Sequence, residues 1–348
     1  MKINLINKIP LLVTILIVLL FVFFGLDLFL GSVNIPFKSI VSILLGETDV
    51  KQSWSVIVLE SRLPKAIAAV LAGSALSVSG LQMQTLFRNP LAGPYILGIS
   101  SGAGLGVALF IMGLSILGIS LSDWEVLTSY GIIIFSVLGS VSVLLILLAI
   151  INRLKDVMTV LIVGIMIGSV ITALIGIIQA FSYDAQLKSF IMWTMGDLSA
   201  VTISKAKILA VVVVIGLIVS FAISKKLNAY LLGENYAKSL GVNIKSTRFM
   251  IVLTTALLAG SVTAFCGPIG FVGIIIPHLA RMLSKSADHR ILTVLSILLG
   301  INVMLIADVI AQMPGSEISL PINSITSIIG IPFIIWIIIK NKSIKSSS

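Results

Sequence analysis

The chain consists largely of long apolar runs separated by short clusters of charged residues. Uncharged runs at 66–87, 131–151, 157–181 and 318–339 each reach the length of roughly 20 residues with which a helix crosses a bilayer. The uncharged runs at 89–122 and 249–280 are too long for one crossing. The pattern predicts an all-α membrane protein of about ten transmembrane helices, near 9–30, 66–87, 94–113, 128–151, 157–181, 206–223, 249–266, 269–284, 291–311 and 322–339.

The first apolar run could be mistaken for a secretory signal peptide, because Lys2 and Lys8 precede it. It is uncharged from 9 to 26, however, and apolar residues resume after Asp27. The apolar part of a signal peptide spans about 7–15 residues and ends at a small-residue cleavage site, and no such site follows here. We therefore interpret this run as the first transmembrane helix.

Composition agrees with a lipid environment. The chain has 348 residues, of which 58% are hydrophobic and 10% charged, whereas soluble domains are about 25% charged. We expect residues 1–348 to form a single transmembrane domain. Cys266 is the only cysteine, and the two histidines, His278 and His289, are too few to argue for a metal or haem site. We expect them at a helix end and in a loop.

The distribution of charge predicts the orientation. If both termini are cytoplasmic, the cytoplasmic segments hold most of the 23 Lys and Arg residues but only three of the 13 acids, Asp156, Glu234 and Asp288. This is the excess of basic residues that marks the inner side of membrane proteins. It also explains the net charge of +10 without a nucleic-acid partner.

A repeat is visible at an offset of 187 residues. The string 72–80 (AGSALSVSG) resembles 259–267 (AGSVTAFCG), and Pro90 and Gly113 correspond to Pro277 and Gly300. The two copies would lie in helices that run in opposite directions. This arrangement predicts an inverted-topology repeat of helices 2–5 and 7–10, which is common in transporters.

Glycines spaced four residues apart occur at Gly98, Gly102 and Gly106, and again at Gly164 and Gly168. Such spacing lets the backbones of two transmembrane helices approach closely. Any one such motif is ordinary helix packing, but together they predict a tightly packed bundle.

Four segments form ordered strings of Gly, Pro and charged residues. They are 62–65 (RLPK), 84–94 (QTLFRNPLAGP), 232–242 (LGENYAKSLGV) and 267–281 (GPIGFVGIIIPHLAR), the last followed by 288–290 (DHR). Together they resemble the FecCD family of permeases of ATP-binding-cassette (ABC) importers, which serve siderophores, haem and vitamin B12. The resemblance covers nearly the whole chain and includes the permeases of vitamin B12 importers.

The resemblance implies a transport assembly. Its expected members are a second permease copy in a homodimer or close heterodimer, two cytoplasmic ATPase subunits and an external substrate-binding protein. It places the chain in the bacterial cytoplasmic (inner) membrane. It also implies structural roles for the motif residues Asn89, Pro90, Gly267, Pro268, Gly270, Gly273, Pro277, His278 and Arg281.

The connection 224–248 is the longest one predicted on the cytoplasmic side. Leu and Ala recur at helical spacing between 231 and 240, and Gly233 and Gly241 can end a helix at either side. A short exposed helix is therefore predicted there, although a plain amphipathic loop is the alternative. The resemblance makes it the contact for the ATPase, through Leu232, Gly233, Glu234, Ala237, Leu240 and Gly241.

Arg62 and Lys65 are expected at the outer mouth of the second helix. The resemblance suggests that they meet carboxylates of the binding protein, which would orient docking. The alternative is that both side chains anchor the helix at the membrane interface.

The chain departs from the family pattern at three places. Gln312 stands where the family usually has arginine, which puts one further docking charge in doubt. The family's Glu-x-Pro-x-Gly string is replaced by a segment with different spacing that ends at Asn323. Lys65 also replaces a usual arginine, which keeps the charge but loses the planar fork of the guanidinium.

The energy source is predicted to lie on another chain. There is no Gly-x4-Gly-Lys-Ser/Thr phosphate loop, so we expect no enzyme activity and no cofactor here, with ATP and Mg²⁺ on the partner ATPase. Iron chelates are the expected cargo, with cobalamin as the alternative. An ion-coupled carrier is less expected, because only Asp27 and Asp308 lie within predicted spans. A membrane receptor or scaffold would show a large soluble domain, which is not visible.

Overall fold

The computed structural model describes residues 8–47, 50–116, 125–151, 157–316 and 319–346. All regular structure in these ranges is helical, as predicted. The helices are α1 (Lys8–Phe29), α2 (Phe37–Leu44), α3 (Gln52–Val56), α4 (Leu63–Phe87), α5 (Ile99–Ala108), α6 (Glu125–Ile151), α7 (Val157–Ala180), α8 (Asp184–Thr194), α9 (Ile203–Ala222), α10 (Ser224–Leu231), α11 (Glu234–Ser239), α12 (Ile244–Cys266), α13 (Val272–Ser284), α14 (His289–Ala311) and α15 (Ile322–Ser346).

Eight helical segments in the described part are long and apolar enough to cross a membrane. Two shorter apolar helices, Val272–Ser284 and Ile322–Ile337, accompany them. The prediction of an all-α membrane protein is confirmed. The number ten is reached only if both shorter helices also cross.

The second predicted helix starts much earlier than residue 66. Helical backbone runs without interruption from Gln52 to Phe87, through a π-helical turn, Ile57–Arg62, that joins α3 to α4. Pro64 has no N–H to donate, and the N–H of Leu63 reaches back to the carbonyl of Val58. Arg62 and Lys65 therefore lie within a continuous helix instead of opening one.

The third predicted helix is broken into pieces. A short 3-10 helix, Pro94–Leu97, ends at Gly98, whose φ of 75° is left-handed. The chain then continues through α5 and a π-helical turn, Leu109–Gly113, to Ile116. Glycine adopts a left-handed φ without steric cost, so the break falls at this residue.

The centre of the bundle is α4, which packs against α9, α12, α13, α14 and α1. Gly73 meets Gly300 of α14, and Gly80 meets Gly273 of α13, so closely that an added methyl group at either position would collide with backbone atoms. Gly102 and Gly106 similarly lie against the backbone of α6. The close approach predicted from glycine spacing is therefore present.

The packing supports the inverted repeat. The offset of 187 residues aligns α4 with α12, and the order of the following helices then pairs α5 with α13 and α6 with α14. In the structure α4 packs against α12, α13 and α14, and α12 packs against α4, α5 and α6. The two central helices, α4 and α12, thus contact each other. Each of them also contacts the two helices that follow the other one.

The stretch between α12 and α13 is not helical, and its backbone groups find partners inside the bundle. The carbonyl of Cys266 accepts the N–H of Asp197 at 2.8 Å. The N–H of Ile269 donates to the Tyr95 hydroxyl at 3.3 Å, and the N–H of Gly270 to Asn323 Oδ1 at 2.9 Å. Irregular backbone at membrane depth is stable only when such partners are provided. Asn323, a departure from the family pattern, is one of them.

The two ends of α4 define two ends of the bundle. A helix of this length spans about 37 Å at roughly 1.5 Å per residue. We call them the Arg62 end and the Arg248 end, after the arginine that organises the polar contacts at each.

Candidate functional site

The connection 224–248 folds as two short helices, α10 and α11, at the Arg248 end. Gly233 precedes α11 with a φ of 115°, and Gly241 follows it with a φ of 80°. Both values are left-handed, which glycine adopts more readily than other residues. The predicted short helix is thus present and has a glycine at each side.

A polar cluster holds α11 against α12. The side chain of Arg248 donates from Nη2 to Glu234 Oε1 at 2.5 Å, and the Tyr230 hydroxyl donates to the same oxygen at 2.5 Å. Arg248 Nε lies 3.3 Å from the Tyr230 oxygen. Three side chains from α10, α11 and α12 therefore meet at one carboxylate oxygen.

The cluster shifts the pKa values of two groups outside the spans, Glu234 and Tyr230. Burial raises the pKa of Glu234, but hydrogen bonds from Tyr230 and Arg248 outweigh it and hold the pKa below its ordinary value. Burial, followed by the hydrogen bond to Glu234, raises the pKa of Tyr230 to about 12. Glu234 is therefore a carboxylate and Tyr230 a neutral donor near neutral pH.

Arg88 extends this cluster to the end of α4. It has a left-handed φ of 47° at the C-terminus of the helix. Its Nη2 lies 3.4 Å from the carbonyl of Tyr230, and its guanidinium lies 5.8 Å from the centre of the Tyr230 ring. The ring itself is fully buried.

A groove with a volume of about 970 Å³ opens beside this cluster. Its walls come from α11 and the preceding turn, from the end of α4, and from α7 and α12. The lining residues are Leu86, Phe87, Arg88, Met158, Leu232, Gly233, Glu234, Asn235, Tyr236, Ser239 and Arg248. Leu232, Tyr236 and Leu240 expose more than half of their surface.

The structure brings most of the predicted coupling residues to one surface. Leu232, Gly233 and Glu234 line the groove, and Leu240 is exposed beside it. Gly241 faces open space, where a side chain would meet no neighbouring atom. Ala237 is fully buried and holds α11 to the bundle instead of facing a partner.

Sequence reasoning missed Arg88, Tyr230 and Arg248 as members of this site. One signal was available, because Tyr230 and Glu234 are four residues apart, a spacing typical of side-chain contact along a helix. Arg248 was placed outside the seventh helix, which was predicted to begin at 249. It lies inside α12, which begins at Ile244, where Asn243 Oδ1 accepts the N–H of Ser246 at 3.1 Å.

Arg62 and Lys65 lie at the opposite end of the bundle. Arg62 is 7% exposed. Its guanidinium donates to the carbonyls of Leu28 at 2.8 Å, Phe29 at 2.9 Å and Val33 at 2.5 Å. Arg62 thus caps the C-terminus of α1, where helix carbonyls lack partners within the helix.

Lys65 belongs to a buried polar cluster. Its ammonium lies 3.2 Å from Asp308 Oδ1. Gln312 Nε2 donates to Asp27 Oδ1 at 2.6 Å and to Asp308 Oδ2 at 3.0 Å. Gln312 therefore bridges Asp27 and Asp308, and Lys65 pairs with Asp308.

The remaining motif residues build the frame around these sites. Asn89 Oδ1 accepts the N–H of Leu91 at 2.9 Å in the turn that contains Pro90. Gly267, followed by Pro268, approaches the backbone of Trp193 and Gly196. Pro277 is buried inside α13, and the His278 ring packs edge-on against Phe333.

The two histidines differ from their expected places. His278 lies inside α13, and His289 is the first residue of α14 and is 1% exposed. In the described ranges no group of three or more His, Cys, Asp or Glu side chains is arranged to hold a metal ion.

The sequence matches the FecCD transport family over residues 16–340. The chain belongs to the FecCD family. It is 34% identical to the hemin transport system permease protein HmuU of Yersinia pestis, with 91% of this chain and 93% of that protein covered. It is 33% identical to the vitamin B12 import system permease protein BtuC of Salmonella paratyphi A, with 82% and 84% covered.

A solved structure agrees with this assignment. It is described as an inward-facing conformation of a metal-chelate type ABC transporter, and it superposes with a TM-score of 0.81 at 28% identity. The superposition covers 95% of this chain and 99% of the other. The chain is thus a multi-pass permease of the ABC-importer type, as its motifs predicted.

Proposed function

We propose that this FecCD permease moves iron chelates, either ferric siderophores or haem, into the cytoplasm as a homodimer driven by two separate ATPase subunits. The Arg248 end is then cytoplasmic and is the surface on which each ATPase docks. The Arg62 end faces outward, towards an external binding protein. Both termini are cytoplasmic and the membrane is the bacterial inner membrane.

The single observation that carries the docking surface is the exposed helix α11 beside an open groove. Leu232, Tyr236 and Leu240 offer apolar contact area, and the cluster of Tyr230, Glu234 and Arg248 fixes the helix in place. A rigid, partly apolar projection next to a concavity suits a protein partner. The excess of Lys and Arg predicted on this side supports its cytoplasmic location.

The cargo is proposed from the relatives, because selection among large chelates falls mainly to the binding protein. The hemin permease and the metal-chelate transporter favour iron chelates. Cobalamin is the alternative, since a vitamin B12 permease is nearly as similar.

The coupling role is tested with Gly241→Asp. Gly241 has a φ of 80° and no neighbouring atoms around the added side chain, so the variant strains and charges the docking surface without disturbing the core. We expect normal membrane insertion, continued ATP hydrolysis and loss of uptake. Gly315→Asp is the matched control for backbone strain and membrane insertion, because Gly315 has a φ of 87° and equally open surroundings at the Arg62 end. Wild-type uptake by Gly241→Asp would reject the proposed docking surface.

The cargo and the energy source are tested in a strain that lacks this gene. Uptake of labelled ferric siderophore, haem and cobalamin is measured with and without complementation. Loss of one cargo, restored by the gene and abolished by ATP depletion, identifies it. Uptake that responds to an uncoupler and not to ATP depletion would instead favour an ion-coupled carrier.

Docking of the binding protein at the Arg62 end belongs to the same proposal. We expect docking to weaken with salt and in Arg62→Glu. Since Arg62 is buried against three carbonyls, thermal unfolding must be measured alongside. Unchanged affinity in a folded variant would assign Arg62 to the interior contacts alone.

A further inference from the structure

A second set of polar contacts connects the 224–248 segment to the buried ends of two spanning helices. It starts at Asn228 on α10, two residues before Tyr230. Asn228 Nδ2 donates to Asp288 Oδ1 at 2.8 Å. Asn228 Oδ1 accepts the backbone N–H of His289 at 2.8 Å and lies 2.9 Å from His289 Nδ1. One amide side chain thus holds the first turn of α14.

His289 passes this contact on to α4. Its ring is buried, and Nε2 lies 2.7 Å from the Thr85 hydroxyl oxygen in the last turn of α4. Because Asn228 Oδ1 can only accept, the ring proton lies on Nδ1. Nε2 is then an acceptor, so the Thr85 hydroxyl donates to it.

The Thr85 hydroxyl has a second acceptor within reach. The carbonyl of Leu81, one turn earlier in α4, lies 2.9 Å from the same oxygen. A hydroxyl has a single proton to donate. The hydroxyl donates either to His289, which joins α4 to α14, or to the Leu81 carbonyl, which lies within α4. Thr85 has a hydrogen-bond acceptor in either case.

The same turn of α4 also forms hydrogen bonds with α13. Gln84 Nε2 donates to the carbonyl of Ile274 at 2.8 Å, and Gln84 Oε1 accepts from Arg281 Nη1 at 2.6 Å. The helices α13 and α14 are therefore attached to adjacent residues of α4, Gln84 and Thr85. Two side chains, Asn228 and His289, connect α10 to this turn.

We propose that Asn228, His289 and Thr85 form a positioning link that carries movement of the 224–248 segment into α4 and α14. The proposal rests on the proposed function, because it needs an ATPase that moves this segment. The link is distinct from the Tyr230–Glu234–Arg248 cluster, which fixes α11 to α12. None of its three members is among the residues that line the groove.

The test is Thr85→Val, which keeps the shape of the side chain and removes the hydroxyl. Thr254→Val is the matched control, since Thr254 is 2% exposed in α12 and donates within its helix to the carbonyl of Met250 at 2.6 Å. Thr85→Ser restores the hydroxyl. The permease is assembled with its ATPase subunits in lipid nanodiscs, and amide hydrogen exchange is compared before and after trapping with ATP and vanadate.

In the wild type we expect trapping to change exchange at 232–241 and also in the last turn of α4 and the first turn of α14. In Thr85→Val the changes at 232–241 and in the first turn of α14 remain, because Asn228 still holds His289. The change in the last turn of α4 falls by about 2- to 30-fold, the range produced by mutations along coupling networks. Thr85→Ser and Thr254→Val should behave like the wild type.

Equal changes in the last turn of α4 in Thr85→Val and Thr254→Val would overturn the link and leave the docking surface intact. Absence of any change at 232–241 in the wild type would overturn the proposed docking surface, and with it this link. If Thr85→Val does not fold, Asn228→Leu tests the link from its other half. It must lower the change at both helix ends while the change at 232–241 remains.

Discussion

Basic side chains organise the polar contacts at both ends of α4, but the two ends use them differently. At the Arg62 end, Arg62 and Asp308 are almost fully buried, and Arg62 and Lys65 are bound to groups of the same chain. At the Arg248 end, the Arg248–Glu234 pair borders an open groove, and Glu234 keeps 27% of its side chain exposed.

The difference shows why motif membership does not by itself define a contact surface. A buried ion pair leaves a costly unpaired charge when one partner is removed, whereas a pair near solvent contributes little to stability. Substitutions at the Arg62 end should therefore act on folding. Substitutions at the Arg248 end should act on the order of the 224–248 segment.

The largest effect is expected from Lys65→Met, which leaves Asp308 buried without its ammonium partner. Loss of one member of a buried pair costs about 3–5 kcal/mol. Thermal unfolding in detergent should show this loss. The double variant Lys65→Met with Asp308→Asn removes both charges and should recover most of the stability. A single variant as stable as the double one would mean that this end is not held by the ion pair.

A smaller effect is expected from Arg62→Gln. The shorter side chain cannot reach all three carbonyls at the end of α1, and each buried group left without a partner costs about 1–3 kcal/mol. The same thermal unfolding measurement applies. Arg290→Gln serves as the control, because Arg290 is exposed at the other end of the bundle. Equal stability of the two variants would contradict the capping role of Arg62.

At the Arg248 end, Arg248→Lys should change global stability by about 1 kcal/mol or less. It keeps the charge but loses the fork that reaches both Glu234 and Tyr230. Amide exchange at 232–241 should therefore become faster while the unfolding temperature hardly moves. Lys245→Gln, an exposed substitution in the same helix, is the control. If Arg248→Lys lowered the stability as much as Lys65→Met, the two ends of α4 would not differ in how much their ion pairs contribute to folding.

The smallest effect is expected from Tyr230→Phe. It removes the hydrogen bond from the neutral Tyr230 hydroxyl to the Glu234 carboxylate, but leaves the Arg248–Glu234 ion pair and the buried ring in place. Exchange at 232–241 should rise less than in Arg248→Lys. The opposite order would make the hydroxyl, and not the guanidinium, the main support of α11.

Sequence periodicity predicted most of the spanning helices because lipid requires long apolar runs, and these leave an unambiguous pattern. The errors fall where a charged or irregular residue has a partner far away in the chain. The second helix was predicted to begin at 66 because Glu60, Arg62 and Lys65 interrupt the apolar pattern. It extends back to Gln52 because α1 and α14 supply partners for Arg62 and Lys65.

The candidate site also has a part that the sequence predicted and a part that it did not, because only the first depends on local backbone geometry. Gly233 and Gly241 indicated the two ends of α11 in the sequence, because a left-handed φ is a local property of the backbone. Tyr230, Arg248, Asn228 and His289 were not found, because their roles depend on side chains that meet only after the helices have packed.

The sequence by itself determined that the chain is helical, crosses a membrane and belongs to the FecCD family, since these properties follow from apolar length, glycine spacing and ordered motifs. Tertiary structure alone decided which charged side chains are buried and which remain exposed to solvent. A side chain gains or loses contact with solvent according to the neighbouring helices, and contacts such as Arg62 with α1 and Thr85 with His289 join residues that are distant in the chain.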